Sequence, residues 1–325
     1  MKVAFAGAFA ARLAERVRKQ LEASCEIVTG DELGILQQLP DAEVLVSMGF
    51  DAAMASAGPR LRLVQVPGAG LDRIDRSQLR PGVALANAYG HEVGIAEYII
   101  GAMIALMRSF SRIDQKLRNG QWESQWSVGG PPPPLWPELG GKTLGILGFG
   151  HIGEALARRA QAFDMNVCAI GRQARFKAPA GISFIGGPER LDEVLRTSDY
   201  LAITLPLSDQ TRGLLDARRL HLMKSSAYLI NVARAEIIDE RALYQALAGR
   251  RFAGAALDVW YRYPTVAGEV APAAEPFHTL DNIIMTPHVS GWTQGMLDAR
   301  SNVIAENIAR IARGEPLLNI VASDG

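Results

Sequence analysis

Three glycines at 148, 150 and 153, in Gly148-Phe149-Gly150-His151-Ile152-Gly153, have the spacing of a turn that holds the pyrophosphate of a dinucleotide. In such a turn Gly148 permits the tight reversal and Gly150 lets the backbone approach the phosphates. Gly153 lets the next helix pack closely on the strand, and the helix N-terminal amides face the anion. The spacing alone is weak evidence, because a glycine-rich helix start needs no ligand. Its surroundings supply the context: Thr143 to Leu147 precede it as an apolar strand, and Glu154 to Phe163 follow with Ala155, Leu156 and Ala160 on one helical face.

The next strand ends in Cys168-Ala169-Ile170-Gly171-Arg172-Gln173-Ala174-Arg175. Where an NAD site places Asp or Glu on the adenosine ribose, this chain has Gly171. Arg172 and Arg175, with Gln173 between them, offer donors to a 2′-phosphate instead, and such charge-assisted bonds are roughly twice as strong as neutral ones. The expectation is NADP before NAD. The alternative is that both arginines are solvated surface charges.

The elements that must position these groups read as two α/β series. Short apolar runs at Val3 to Ala6, Val44 to Ser47, Leu63 to Val66 and Val83 to Ala86 suit strands of a parallel sheet. A long helix is expected from Val93 to Arg118, apolar on most faces until Ser109. The run Gly129 to Pro137, with four consecutive prolines, can be neither helix nor central strand and reads as an extended loop. Six further strands are expected at Thr143 to Leu147, Val167 to Ile170, Tyr200 to Ile203, Ala227 to Asn231, Gly254 to Leu257 and Ile283 to Met285. Met296 to Arg313 has the helical period and stops at Gly314. It is too short to make a domain and should fold back on the first one. The fold class is therefore α/β with two doubly wound parallel-sheet domains: residues 93–289 form a Rossmann dinucleotide-binding domain, and residues 1–92 and 290–325 a discontinuous substrate domain.

Composition excludes several classes of partner. Of 325 residues, Lys+Arg and Asp+Glu number 34 each, so no overall field attracts nucleic acid or anionic lipid. The N-terminal run is too short for a signal peptide, and the longest apolar stretch, Tyr98 to Met107, stops at Arg108, so a cytoplasmic protein without membrane contact is expected. Cys25 and Cys168 lack metal-site or disulfide spacing, are expected as core thiols, and leave no metal site.

The order of motifs resembles the D-isomer-specific 2-hydroxyacid dehydrogenases over nearly the whole chain. The motifs are Pro67-Gly68-Ala69-Gly70-Leu71-Asp72, Val93-Gly94-Ile95-Ala96-Glu97-Tyr98, the glycine turn, Leu205-Pro206-Leu207, Asn231-Val232-Ala233-Arg234, Ala256-Leu257-Asp258-Val259 and Thr286-Pro287-His288-Val289-Ser290-Gly291. The resemblance implies a flavodoxin-like substrate domain. It also implies that Arg234 grips the substrate carboxylate and polarises the keto oxygen, while His288 delivers or accepts the proton. Both roles suit the chemistry: a planar 2-oxoacid anion matches a guanidinium fork, and hydride addition leaves an alkoxide needing an acid of near-neutral pKa. By the same resemblance the amides of Gly68, Ala69 and Gly70 hold the carboxylate from the other domain, and Asp258 accepts from the nicotinamide carboxamide. Leu205, Pro206, Val232, Ala233, Ser290 and Gly291 border the dinucleotide.

One departure bears on the proton. Relatives place a glutamate five residues after Asp258, where it raises the histidine pKa; here that position is Tyr263. A neutral phenol stabilises imidazolium less, so a lower His288 pKa and reduction favoured at acidic pH are expected, with Glu269 or Glu275 as alternative partners. His91 resembles in position a substrate-contacting asparagine of the formate dehydrogenase sister group, though a capping role is the alternative. Trp136 resembles a residue that lines the partner's site in some glyoxylate and hydroxypyruvate reductases, which implies a homodimer. Trp260 and Trp292 would either wall the substrate or pack the core. The leading expectation is a glyoxylate or hydroxypyruvate reductase. The alternatives are formate-type hydride transfer without proton transfer and a dinucleotide-sensing corepressor-like protein.

Overall fold

A computed structural model describes residues 1–21, 25–129, 135–172, 174, 178–265, 268 and 270–321. It divides into two compact units, one comprising Met1–His91 and the residues from Trp292 onward, the other Glu92–Gly291.

The first unit carries a five-stranded parallel sheet in the order β2-β1-β3-β4-β5. Its strands are β1 (Lys2–Ala6), β2 (Glu26–Gly30), β3 (Val44–Ser47), β4 (Leu63–Gln65) and β5 (Ala84–Ala86), with helices α1 (Ala8–Gln20) and α2 (Ala52–Ala57). That order is flavodoxin-like. Alternation along β1 feeds two cores: Val3 and Phe5 meet Leu13 and Val17 of α1, while Ala4 and Ala6 join Ile35, Leu39 and Met54 on the opposite face. Burial on both faces is why the strands read as continuous apolar runs.

The second unit opens with α3 (Glu92–Met107) and α4 (Phe110–Arg118), and its elements then run β6 (Thr143–Leu147), α5 (His151–Gln161), β7 (Asn166–Ile170), β8 (Ile182–Gly186), α6 (Leu191–Thr197), β9 (Tyr200–Ile203), α7 (Ala217–Leu220), β10 (Tyr228–Asn231), α8 (Glu240–Ala248), β11 (Gly254–Leu257) and β12 (Ile283–Met285). All seven strands are parallel, in the order β12-β11-β10-β9-β6-β7-β8. Leu144, Ile146 and Ile230 pack against Ile99 and Met103 of α3 and Leu156 of α5. On the other face Leu201, Ile203 and Leu229 meet Val194 of α6 and Leu243 of α8. From β12 the chain returns to the first unit, where α9 (Gln294–Arg313) packs on α1 and ends at Gly314 in the left-handed region, φ 69°.

Three expectations are corrected. Two strands were not anticipated, β2 and β8, and both are sheet edges whose partial exposure breaks the apolar run: Glu26 and Thr29 are exposed in one, Ser183 in the other. The expected helix from Val93 to Arg118 is two helices meeting at 57°, because Ser109 adopts φ 50° after Arg108. Cys168 is buried, and burial pushes its thiol pKa up to about 11, but Cys25 is only partly buried. The four prolines 131–134 lie outside the described residues. No single helix among the described residues is long and apolar enough to cross a membrane.

Candidate active site

The carboxyl ends of the seven parallel strands form one edge of the second unit, and most candidate residues follow those ends. Strands depart in opposite directions from β6 and β9, so the switch point of the sheet lies between the glycine turn after Leu147 and the segment after Ile203. There the glycines separate into distinct jobs. Gly148 has φ 103°, and a Cβ on it would stand 2.6 Å from the Leu205 nitrogen. A Cβ on Gly153 would meet the Gly148 carbonyl oxygen at 2.5 Å, which is why α5 can approach the strand only with glycine at that point. Nothing lies within 4 Å of a Cβ on Gly150, so the turn is open on that side.

Thr204 closes the turn from β9, its hydroxyl donating to the Gly148 carbonyl at 2.7 Å and its amide to Leu147 at 2.8 Å. The N-cap of α5, Gly150, supplies no side-chain cap, and the first turn of a helix is where an anion is received. An open glycine, uncapped amides and a clamped turn fit a dinucleotide pyrophosphate. Phe149 turns into the core, His151 is exposed, and Ile152 is partly buried. At the end of β7, Gly171 donates to the Gly186 carbonyl and Arg172 is exposed; Gln173 and Arg175 lie outside the described residues. Leu205 is partly buried and Pro206 exposed, whereas the side chains of Val232 and Ala233 are buried, leaving only their backbone to face a ligand.

After β10 the chain makes a turn held by Asn231, whose Oδ1 accepts from the Ala233 amide at 3.1 Å while its Nδ2 donates to the Arg234 carbonyl at 3.0 Å. Arg234 leaves this turn extended and part-buried, with Nη1 donating to the Ala233 carbonyl at 2.8 Å.

His288 follows β12 with φ 58°, a left-handed conformation unusual for a residue with a side chain. Its anchor is Asp258 at the end of β11. Asp258 is fully buried, and its oxygens accept from the Val289 amide at 2.9 Å, the Ser290 amide at 2.8 Å and the Thr286 hydroxyl at 2.6 Å. Thr286 is gripped twice more: its hydroxyl accepts from Tyr98 of α3 at 2.6 Å, and its carbonyl accepts from Trp260 Nε1 at 2.8 Å. A carboxamide reaching Asp258 would therefore share oxygens that already orient the His288 segment.

The Tyr263 hydroxyl lies 2.8 Å from His288 Nδ1 and accepts from the Trp260 amide at 3.3 Å. The phenol can donate to Nδ1 of the neutral imidazole or accept from Nδ1–H of the imidazolium, and in both states Nδ1 is engaged by Tyr263. Loss of hydration and the Arg234 charge pull the His288 pKa below its ordinary value, and Asp258 opposes them. Burial raises the pKa of Tyr263, so the phenol stays neutral.

In the first unit, Gly68 is buried and Ala69 and Gly70 are partly exposed in the turn after β4. A Cβ on Gly68 would make only ordinary contacts, 3.4 Å to Met48 and 3.9 Å to Arg300, so close packing does not demand glycine there. Trp292 is half-exposed, tilted against Phe9 at 5.7 Å with the Arg12 guanidinium 5.4 Å from its ring centre, and His91 is partly buried. Trp136 is partly buried beside the exposed Leu135. Trp260 is a core residue at 5% exposure, edge-on to Phe277. The Glu275 backbone amide donates to Glu240, no hydrogen bond joins Glu275 to His288 among the described residues, and Glu269 lies outside them. Thr286 and Tyr98 were not singled out from sequence, because a tyrosine in an apolar helix reads simply as packing.

Known proteins resemble this chain over most of its length. Residues 100–290 match the family described as D-isomer specific 2-hydroxyacid dehydrogenase, NAD binding domain. A glyoxylate reductase of Pyrococcus furiosus is 33% identical over 286 residues, covering 86% of this chain and 82% of that one. A D-3-phosphoglycerate dehydrogenase of Methanocaldococcus jannaschii is 32% identical over 91% of this chain, which spans only 55% of that protein. The solved glyoxylate reductase of Paecilomyes thermophila superposes with a TM-score of 0.78 at 27% identity, covering 98% of this chain and 97% of that one.

Proposed function

Because the chain belongs to the D-isomer specific 2-hydroxyacid dehydrogenase family, and is thus a nicotinamide-dependent oxidoreductase, we propose that it reduces a small 2-oxoacid, glyoxylate or hydroxypyruvate, to the D-2-hydroxyacid, and uses NADPH in preference to NADH. The observation that carries this reading is the histidine at the end of β12, held left-handed by Asp258 and hydrogen-bonded at Nδ1, which leaves Nε2 as the nitrogen to meet the substrate. When bound, the dinucleotide supplies the hydride.

This chain's residues do the rest. In the second unit the Arg234 guanidinium takes the carboxylate and the keto oxygen, where charge develops as the alkoxide forms; in the first unit the Ala69 and Gly70 amides are donors for a carboxylate. As imidazolium, His288 passes its Nε2 proton to the keto oxygen and is left neutral, with Nδ1–H on the Tyr263 hydroxyl. The glycine turn and Thr204 hold the pyrophosphate, and Arg172 faces the adenosine end. The substrate assignment is supported by the likeness to the glyoxylate reductases of P. furiosus and P. thermophila. A homodimer is supported by α4, which has no buried residue and carries exposed Leu117, and by exposed Trp122 and Trp126 after it.

Oxidation of NADPH and NADH by the purified protein with glyoxylate, hydroxypyruvate, 3-phosphohydroxypyruvate and pyruvate, and reduction of NADP⁺ with formate, test the reading. Turnover of glyoxylate or hydroxypyruvate at kcat/KM at least tenfold above the other acids is expected; formate oxidation without 2-oxoacid reduction would overturn it. Arg172→Ala should raise the KM for NADPH roughly five- to tenfold and leave that for NADH unchanged, as expected of one charge-assisted phosphate contact.

A further inference from the structure

Two segments leave neighbouring strands of the first unit side by side: the Gly68–Gly70 turn after β4, and residues 87–91 after β5. A network of buried amide side chains ties them. Gln65, fully buried, donates from Nε2 to the Val66 carbonyl at 3.1 Å and the Ala86 carbonyl at 3.3 Å, and accepts from Asn307 of α9 at 2.7 Å. Asn307, also fully buried, brackets Leu318 by donating to its carbonyl at 3.1 Å and accepting from its amide at 2.7 Å. One residue further on, the Asn319 carbonyl accepts from the Asn87 amide at 3.2 Å. Asn87 is thus held on its backbone side while its side chain reaches into the turn.

That reach has a directional consequence. Asn87 Nδ2 donates to the Ala69 carbonyl at 3.2 Å, and the Ala88 amide donates to the Gly68 carbonyl at 3.1 Å. Both carbonyls are drawn to the same segment. In a trans peptide the carbonyl and the next amide point in opposite directions, and the described backbone has no cis bonds. The Ala69 and Gly70 amides are therefore both turned away from residues 87–88, and neither donates to another described residue. In an extended strand successive amides alternate sides; tethering two consecutive carbonyls to one segment brings two consecutive donors onto one face, the arrangement that receives an anion.

We propose that Asn87 is a positioning residue for the reaction: by holding the Ala69 carbonyl it aims the Ala69 and Gly70 amides at the substrate carboxylate, and so sets carboxylate affinity without touching substrate. The proposal rests on the assignment of that turn to the carboxylate under the proposed function. Only a donor serves at position 87, because a carboxylate there would set oxygen against the Ala69 oxygen.

The test uses the full-length protein saturated with coenzyme and oxalate as the carboxylate probe. In wild type the 15N–1H signals of Ala69 and Gly70 should move on titration with oxalate. Asn87→Asp, nearly equal in volume, should raise the oxalate dissociation constant and the 2-oxoacid KM about tenfold, the scale of a hydrogen-bonding group misaligned in a binding site. It should change kcat and the coenzyme KM less than twofold, a split that general destabilisation would not produce. Should Asn87→Asp fail to fold, Asn87→Ser removes the same Nδ2 donor without charge and is held to the same criteria. If the two signals stay still in wild type, the assignment of the turn fails and the proposal with it. If they move but the variants bind oxalate within twofold of wild type, or lose oxalate and coenzyme equally, the role of Asn87 alone is overturned.

Discussion

Tyr263 gives His288 an oxygen of the same reach as a carboxylate but without its charge, and the consequence is electrostatic. A carboxylate beside Nδ1 stabilises imidazolium; a phenol whose oxygen already accepts from Trp260 does so weakly, while Arg234 destabilises it. Reduction needs His288 protonated, so kcat/KM should fall as pH rises through a His288 pKa that lies below the ordinary histidine value. Tyr263→Glu should move that fall to higher pH by about one unit, as a paired opposite charge does; superimposable pH profiles for the two proteins would refute the argument. Tyr263 was legible in the sequence because its distance from Asp258 is fixed by a recognisable motif. The bonds that give it meaning were not, since the Trp260 amide and the Asp258 oxygens become partners only once β11 and β12 lie in register. Asn87 was equally silent: an asparagine before a helix suggests a turn, and nothing in its neighbours along the chain says which carbonyl it will hold.

Between residues and whole lie the strand-to-loop junctions, where backbone geometry does most of the work. Gly153 faces the Gly148 carbonyl so closely that a methyl group must push α5 off β6. Gly153→Ala should cost about 1 to 3 kcal/mol, in the range of overpacked sites, seen as a lower Tm together with weaker coenzyme binding in a fluorescence titration. The central strands of both sheets were readable as apolar runs because helices bury both faces. β2 and β8 were not, because an edge strand keeps polar residues where neighbours are missing. The break between α3 and α4 was hidden for a different reason: Arg108 and Ser109 are compatible with helix, and only the left-handed φ of Ser109 parts the two. The division of labour that follows is plain, with α3 buried against α5 and β10 and α4 left bare.

That bare helix matters at the scale of the whole molecule. Phe110 and Leu117 on α4 and Trp122 and Trp126 after it are each about half exposed or more, an apolar concentration that a monomer in water would not ordinarily maintain. Sedimentation velocity should give twice the mass of the 35.1 kDa chain, and Leu117→Glu should shift the protein toward the single-chain mass. Wild type sedimenting as a monomer at micromolar concentration would reject the homodimer. The two-unit plan itself was legible, as strands alternating with helices and a terminal helix too short to stand alone; the pairing of Ile320 with Ala86 was not, since an isolated bridge leaves no periodic trace. That pairing, with Asn307 lodged on Gln65 and α9 covering α1, also sets an order of events during synthesis. Residues 92–291 are contiguous and can fold as they emerge, whereas the first sheet must wait for residues some 200 positions downstream before its face is covered. At roughly 5 to 20 residues per second, the face that Ile304, Ile308 and Ile311 will cover stays open for about 10 to 40 seconds after β5 has been made. The nascent first unit is therefore a natural client for a chaperone.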